Sequence, residues 1–244
     1  MATEQPIAIQ WRLRIANAIA ATAFLIGGTL FAIGAALAQA GVEATVCASV
    51  YLVGGVFFST GGYTSVLQVA NEPGGPAAAG GDARWRWWSR EPQRLQWLSA
   101  VVLFSGTLVF AINLVDSFIE GLSPAAENRL VWSPDMVGCA LFLVSGHLAL
   151  VEIGGGRRFW RHRDLGWWIV GVNQIGSVLF MASAVASFVE PASAEAVNAG
   201  IANWGTLAGA LCFAFAGLMQ EFEHPLGPRR RRDSPATTAP ARPG

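Results

Sequence analysis

Lysine is absent from this chain of 244 residues, and all 16 basic residues are arginine. That bias points to a GC-rich bacterial genome. Charge of either sign is scarce: Asp, Glu, Lys and Arg make up 13% of the chain, about half of what a soluble domain carries. Cysteine is scarce too. Cys47, Cys139 and Cys212 sit singly inside apolar runs, which excludes a disulfide framework or a thiolate metal site and leaves each as a small packing residue. A paired-histidine haem site is excluded as well. Only His147 lies in an apolar run, whereas His162 and His224 fall in arginine-rich segments.

The usual catalytic signatures are also missing. Gly154-Gly155-Gly156 has neither the Lys nor the Ser/Thr of a phosphate-binding loop, and no His-Glu-x-x-His, nucleophile elbow or Cys-x-x-Cys occurs. The segments between apolar runs are too short for a catalytic domain. The sequence therefore predicts no enzyme, no cofactor and no metal.

Long apolar runs are what the chain has in abundance. Hydrophobic residues make up 53%, mean hydropathy is +0.43, and six stretches stand out at 15–39, 46–69, 95–118, 136–153, 165–188 and 197–219. Each approaches the length needed to cross about 30 Å of hydrocarbon at roughly 1.5 Å per residue. The expectation is an all-α membrane protein with six transmembrane helices. The first stretch has a rival reading, because Arg12 and Arg14, an apolar run and then Ala38-Gln39-Ala40 resemble a cleavable signal peptide. Its length and its match to later helices favour a retained helix.

Arginine placement orients the helices. Fifteen of the 16 arginines fall in the N-terminal segment, in 84–94, in 157–163 or in the tail, and Arg129 stands alone on the other side. The opposite loops carry Glu43, Glu120, Glu127, Asp135, Glu190 and Glu195. The positive-inside rule then places both termini in the cytoplasm, as in a multi-pass protein of the bacterial inner membrane. Eight of the ten tryptophans flank the arginine-rich helix ends, the depth at which an indole keeps its ring dry and its N–H wet. Mixtures such as Arg84-Trp85-Arg86-Trp87-Trp88 would suit base stacking, but beside a bilayer anionic lipid is the expected partner and nucleic acid is not. Association with further copies of the chain stays open. The Gly/Pro/Ala stretch 73–81 and the basic tail 227–244 read as disordered.

The apolar runs resemble one another. Gly106-Thr-Leu-Val-Phe110 aligns with Gly176-Ser-Val-Leu-Phe180, and Gly27 with Phe31 joins them. In the intervening runs Gly54, Phe58 and Gly62 share the spacing of Gly138, Phe142 and Gly146 and of Gly209, Phe213 and Gly217. Three copies of a helical hairpin follow: 1–72, then the linker and Arg/Trp segment 73–94, then 95–156, then 157–226 with its own Arg/Trp segment, before the tail 227–244. Residues four and eight apart share a helical face, so Gly-x-x-x-Phe-x-x-x-Gly lays a small-large-small stripe suited to close helix packing.

The segments Gly171-Val-Asn173-Gln-Ile-Gly176-Ser177-Val-Leu-Phe180 and Asn203-Trp204-Gly205-Thr-Leu-Ala-Gly209-Ala-Leu-Cys-Phe213 resemble the YrhK-like family of small bacterial membrane domains. The resemblance is best over 171–221 and weaker over 95–153, and it departs from the family pattern at Gly209-Ala210 and Gly27-Gly28. It implies two-helix hairpins and carries no established activity.

Polar groups at membrane depth are the candidate sites. Asn113, His147, Asn173 and Gln174 would line a polar path or, more plainly, form interhelical hydrogen bonds. Gln68, Glu152 and Glu223 fall at equivalent positions near the arginine-rich boundary, where they would form a cation-binding ring or pair with nearby arginines. The favoured function is a non-enzymatic bundle with a structural or accessory role; the alternative is a small channel or transporter.

Overall fold

A computed structural model describes residues 7–72, 84–154 and 164–223. Six long helices account for most of them: α1 (Ile7–Gln39), α2 (Ala44–Asn71), α3 (Leu95–Asp116), α4 (Pro124–Gly154), α5 (Leu165–Ala186) and α6 (Ala199–Glu221). All six are long and apolar enough to cross a membrane. No strand occurs among the described residues; a single antiparallel bridge joins Val189 to Ala196 in the α5–α6 loop. The stretches 73–81 and 227–244, read above as disordered, lie outside the described residues.

The helices start and stop for local reasons. Asp164 and Asn198 cap α5 and α6 by accepting from Gly166 N–H and Ile201 N–H, which satisfies otherwise orphaned donors. Ser123 does the same for Ala126 N–H just ahead of Pro124. The turn between α1 and α2 passes through Gly41, whose φ of +74° suits a residue without a side chain. α1 begins at Ile7, eight residues before its apolar run, so Trp11, Arg12 and Arg14 are helical but lie ahead of that run. α4 begins twelve residues before its run and includes a π-helical turn at Asn128–Trp132.

Each helix packs against its neighbours in chain order, and α6 returns to pack on α1, closing a six-membered ring. The bundle is small and aromatic inside and branched outside. Its core is mostly Ala, Gly and Phe, while Ile19, Ile33, Val56, Leu108, Val144, Ile175, Val178 and Phe215 point outward. Such an apolar exterior is what a lipid-immersed protein presents. Three hydroxyls on this exterior are satisfied within their own helix: Thr29, Ser49 and Thr60 donate to the carbonyls of Leu25, Thr45 and Val56, as an environment without water requires.

Within each of the pairs α1/α2, α3/α4 and α5/α6 the backbones touch through glycine. A methyl group on Gly27 would stand 2.6 Å from the Phe58 ring and 3.0 Å from the Gly54 carbonyl oxygen. On Gly138 it would meet Phe110 at 3.0 Å and the Gly106 carbonyl at 3.3 Å; on Gly209, Phe180 at 2.6 Å and the Gly176 carbonyl at 2.9 Å. Close approach of this kind maximises dispersion between helices where hydrophobic exclusion is absent. The second glycine of each even-numbered helix faces the next pair instead. Gly62 looks onto Phe104, Gly146 onto Gln174, and Gly217 onto Ala21 and Leu25.

Candidate functional site

The glycine contacts aim six phenylalanines at the bundle axis. Phe31, Phe110 and Phe180 meet one another with ring centroids 5.6 to 6.4 Å apart. Beneath them Phe213 packs against Phe58 at 5.3 Å and Phe142 at 6.2 Å. The two tiers are joined inside each helix pair, by Phe31–Phe58, Phe110–Phe142 and Phe180–Phe213, at 5.3, 5.9 and 5.2 Å. Offset and edge-to-face pairs at such spacings each add roughly 0.5–1.5 kcal/mol beyond the area they bury.

A cavity lies on either side of this layer, and the two share no lining residue. The larger, about 450 Å³, opens toward the acidic end; Phe31 and Phe110 belong to its wall, with Tyr51, Asn113, Trp132 and Asp135. The smaller, about 160 Å³, lies toward the arginine-rich end and is lined by Phe142 and Phe213 with Ser65, Ser99, Asn173 and Gln220. Ser99 and Ser145 satisfy each other there, each hydroxyl donating to the other's carbonyl at 2.9 Å.

The expected polar path is thus divided. Asn113 is buried in the acidic-end cavity, and its side-chain oxygen accepts from Ser117 at 3.4 Å. Asn173 lines the other cavity. Gln174 is pressed against Gly146; its Nε2 reaches the Leu143 carbonyl only at 3.5 Å, and its buried Oε1 has no partner. His147 stands apart from all three. One residue beyond Gly146, it is rotated about 100° from the packed face, so its side chain is exposed on the bundle exterior and forms no hydrogen bond with described residues. The interhelical hydrogen bond that its depth suggested is not made.

Near the arginine-rich boundary Gln68 and Glu223 both converge on Asn17, a buried residue the sequence reading did not single out. Asn17 Oδ1 accepts from Gln68 and Gln220, both at 3.1 Å, while its Nδ2 donates to the Gln220 and Glu223 carbonyls. Glu152 is half-buried near the end of α4. Burial and, secondarily, the Asp164 carboxylate raise the Glu223 carboxyl above its ordinary value. Two further asparagines act as clasps. Asn128 in the π-helical turn donates to the Val189 carbonyl at 2.7 Å and accepts from its N–H at 2.9 Å, and Asn71 holds Arg86 in the same manner. Asn17 stands at the edge of its apolar run and Asn71 and Asn128 lie outside theirs, so a search for polar groups at membrane depth passes over all three.

The Arg/Trp segment folds back over α1 and α2. The Arg12 guanidinium lies 5.9 Å from the Trp85 ring centre, at the mouth of a groove of about 320 Å³ floored by Ile15, Ile19 and Leu67. Among the described residues no group of three or more His, Cys, Asp or Glu could hold a metal ion. Compared with protein-family models, curated proteins and solved structures, the chain matches none.

Proposed function

We propose that this is a non-enzymatic membrane module built from three copies of one helical hairpin, closed to permeation by its phenylalanine layer. The observation that carries the reading is the double tier of six rings across the axis, with a separate cavity on each side. The repeat is supported by equivalence of contact: Gly27, Gly106 and Gly176 each oppose the glycine and phenylalanine of the following helix, as their alignment requires. The YrhK-like resemblance of 171–221 fits the same hairpin unit. In this reading both termini are cytoplasmic, and the groove beneath Arg12 and Trp85 seats an anionic lipid, guanidinium to headgroup and chain along Ile15 and Ile19.

The test is solute flux. The purified chain in liposomes is expected to pass small ions and neutral solutes no faster than protein-free vesicles. Saturable uptake would overturn the closed-module reading. The two cavities favour a second reading, a transporter that opens to one side at a time. Single cysteines at 113 and 173, in a background lacking Cys47, Cys139 and Cys212, separate the two. A closed module labels each position from one side at most, whereas a transporter exposes each to both sides over its cycle.

A further inference from the structure

We propose that the acidic-end cavity binds a small organic cation, a protonated or quaternary amine with an apolar body, with Asp135 as its counter-ion and the rings of Tyr51, Trp132, Phe31 and Phe110 as its walls.

The cavity combines three properties. Its volume of about 450 Å³ falls within the range of roughly 300–1,000 Å³ typical of small-molecule sites. Its charge is of one sign: Asp135 and Glu127 line it, and no arginine or histidine does. A carboxylate inside a bundle calls for a compensating charge, yet among the described residues the only side-chain hydrogen bond Asp135 receives is from the Cys139 thiol, a weak donor at 3.6 Å. No ion pair among the described residues involves it.

The remaining wall suits an alkylammonium better than a bare metal ion. Four aromatic side chains face the space, and a ring face attracts a cation most strongly where water is excluded. Trp132 is fixed by its own N–H, which donates to the Ala184 carbonyl at 2.8 Å, leaving the indole as a wall and not as a donor. The Tyr51 hydroxyl has no partner among the described residues, so it is available to accept from an ammonium N–H. The π-helical turn Asn128–Trp132 brings Glu127 and Trp132 to the same rim, a distortion of the kind that recurs at functional sites.

The experiment uses the full chain in lipid nanodiscs, with phenethylammonium, tetraethylammonium and choline as probes and 3,3-dimethyl-1-butanol as the neutral isostere of choline. Titration calorimetry is expected to show saturable binding of at least one cation and none of the isostere. Asp135→Asn should weaken binding of that cation by about tenfold or more, the scale of losing one charge-assisted contact. Asp164→Asn, at the opposite end, should leave it unchanged.

A second measurement keeps the proposal falsifiable if Asp135→Asn does not fold. Cys47 lines the same cavity; with Cys139 and Cys212 replaced, its thiol should react faster with a cationic methanethiosulfonate than with an anionic one, relative to a free thiol, and the bound amine should slow it. Equal affinity for the neutral isostere, full binding to a folded Asp135→Asn, no saturable cation, or the reverse charge preference at Cys47 would each overturn the proposal.

Discussion

Both backbone polar groups of Arg86 are held by one side chain, that of Asn71, through two hydrogen bonds of 2.8 Å. Asn71 is wholly buried at the end of α2, so the pair works as a short piece of β-pairing made by a carboxamide. It sets the course of the Arg/Trp segment, and Trp97 reinforces it by donating to the Ser89 carbonyl at 3.0 Å.

Replacing Asn71 with leucine strands a part-buried backbone donor and acceptor, each costing at most the roughly 1–3 kcal/mol of a buried unsatisfied group. Asn71→Leu should therefore raise amide hydrogen exchange across 84–90 and lower the unfolding midpoint. Arg86→Ala, which keeps the backbone groups, should leave exchange near that of the parent chain.

The same reasoning with the opposite sign applies to Gln174. Its buried Oε1 has no partner, and the residues facing the second glycines of the other helix pairs are Leu25 and Phe104. Gln174→Leu should stabilise the bundle by about 1 kcal/mol, because removing an unsatisfied amide outweighs the loss of one long hydrogen bond. Denaturation in mixed detergent micelles would register it as an upward shift.

At the seam between α6 and α1 a methyl on Gly28 would lie 2.6 Å from the Ala214 nitrogen and 2.8 Å from the Ala210 oxygen. Backbone does not step aside as a side chain does, so Gly28→Ala should cost about 1–3 kcal/mol through overpacking. Gly154→Ala meets nothing within 4 Å and serves as the neutral comparison in a thermal melt.

Glu223 gives a pH dependence. Burial, then Asp164, raise its carboxyl above the ordinary value of 4.5 in the folded chain. The folded state thus binds a proton that the unfolded state has already released, so this group's contribution falls as pH rises from its unfolded value through its raised folded value. Unfolding midpoints measured across the mildly acidic range should fall with pH in the parent chain, and Glu223→Gln should flatten that slope.

Helix number was legible because hydropathy over some twenty residues is a strong and local signal; the polar first turns of α1 and α4, eight and twelve residues ahead of their apolar runs, were not. Gly27 and Phe31, like Gly54 and Phe58, stand four residues apart, a spacing that a helix turns into one face. Depth along a helix proved a weaker guide to direction. His147 and Gly146 lie at the same depth but differ by one residue, enough to turn the histidine outward. The Asn17, Asn71 and Asn128 clasps join residues distant in the chain, or a helix to a loop, and no periodicity marks such a pairing. Nor does sequence reveal a cavity, which is set by what six helices together fail to fill.

The ring has one seam that the order of synthesis leaves until last. Every other extensive helix-to-helix interface joins chain neighbours, but α1 meets α6, with Gly28 against Ala210 and Ala214, and Gly217 against Ala21 and Leu25. During biogenesis the first helix must wait in the bilayer with one flank bare while five more are made. That flank carries Ala21 and Gly28, small residues on which another small-residue helix would fit, so the interval before the final helix arrives is when mispairing with another nascent chain is most open.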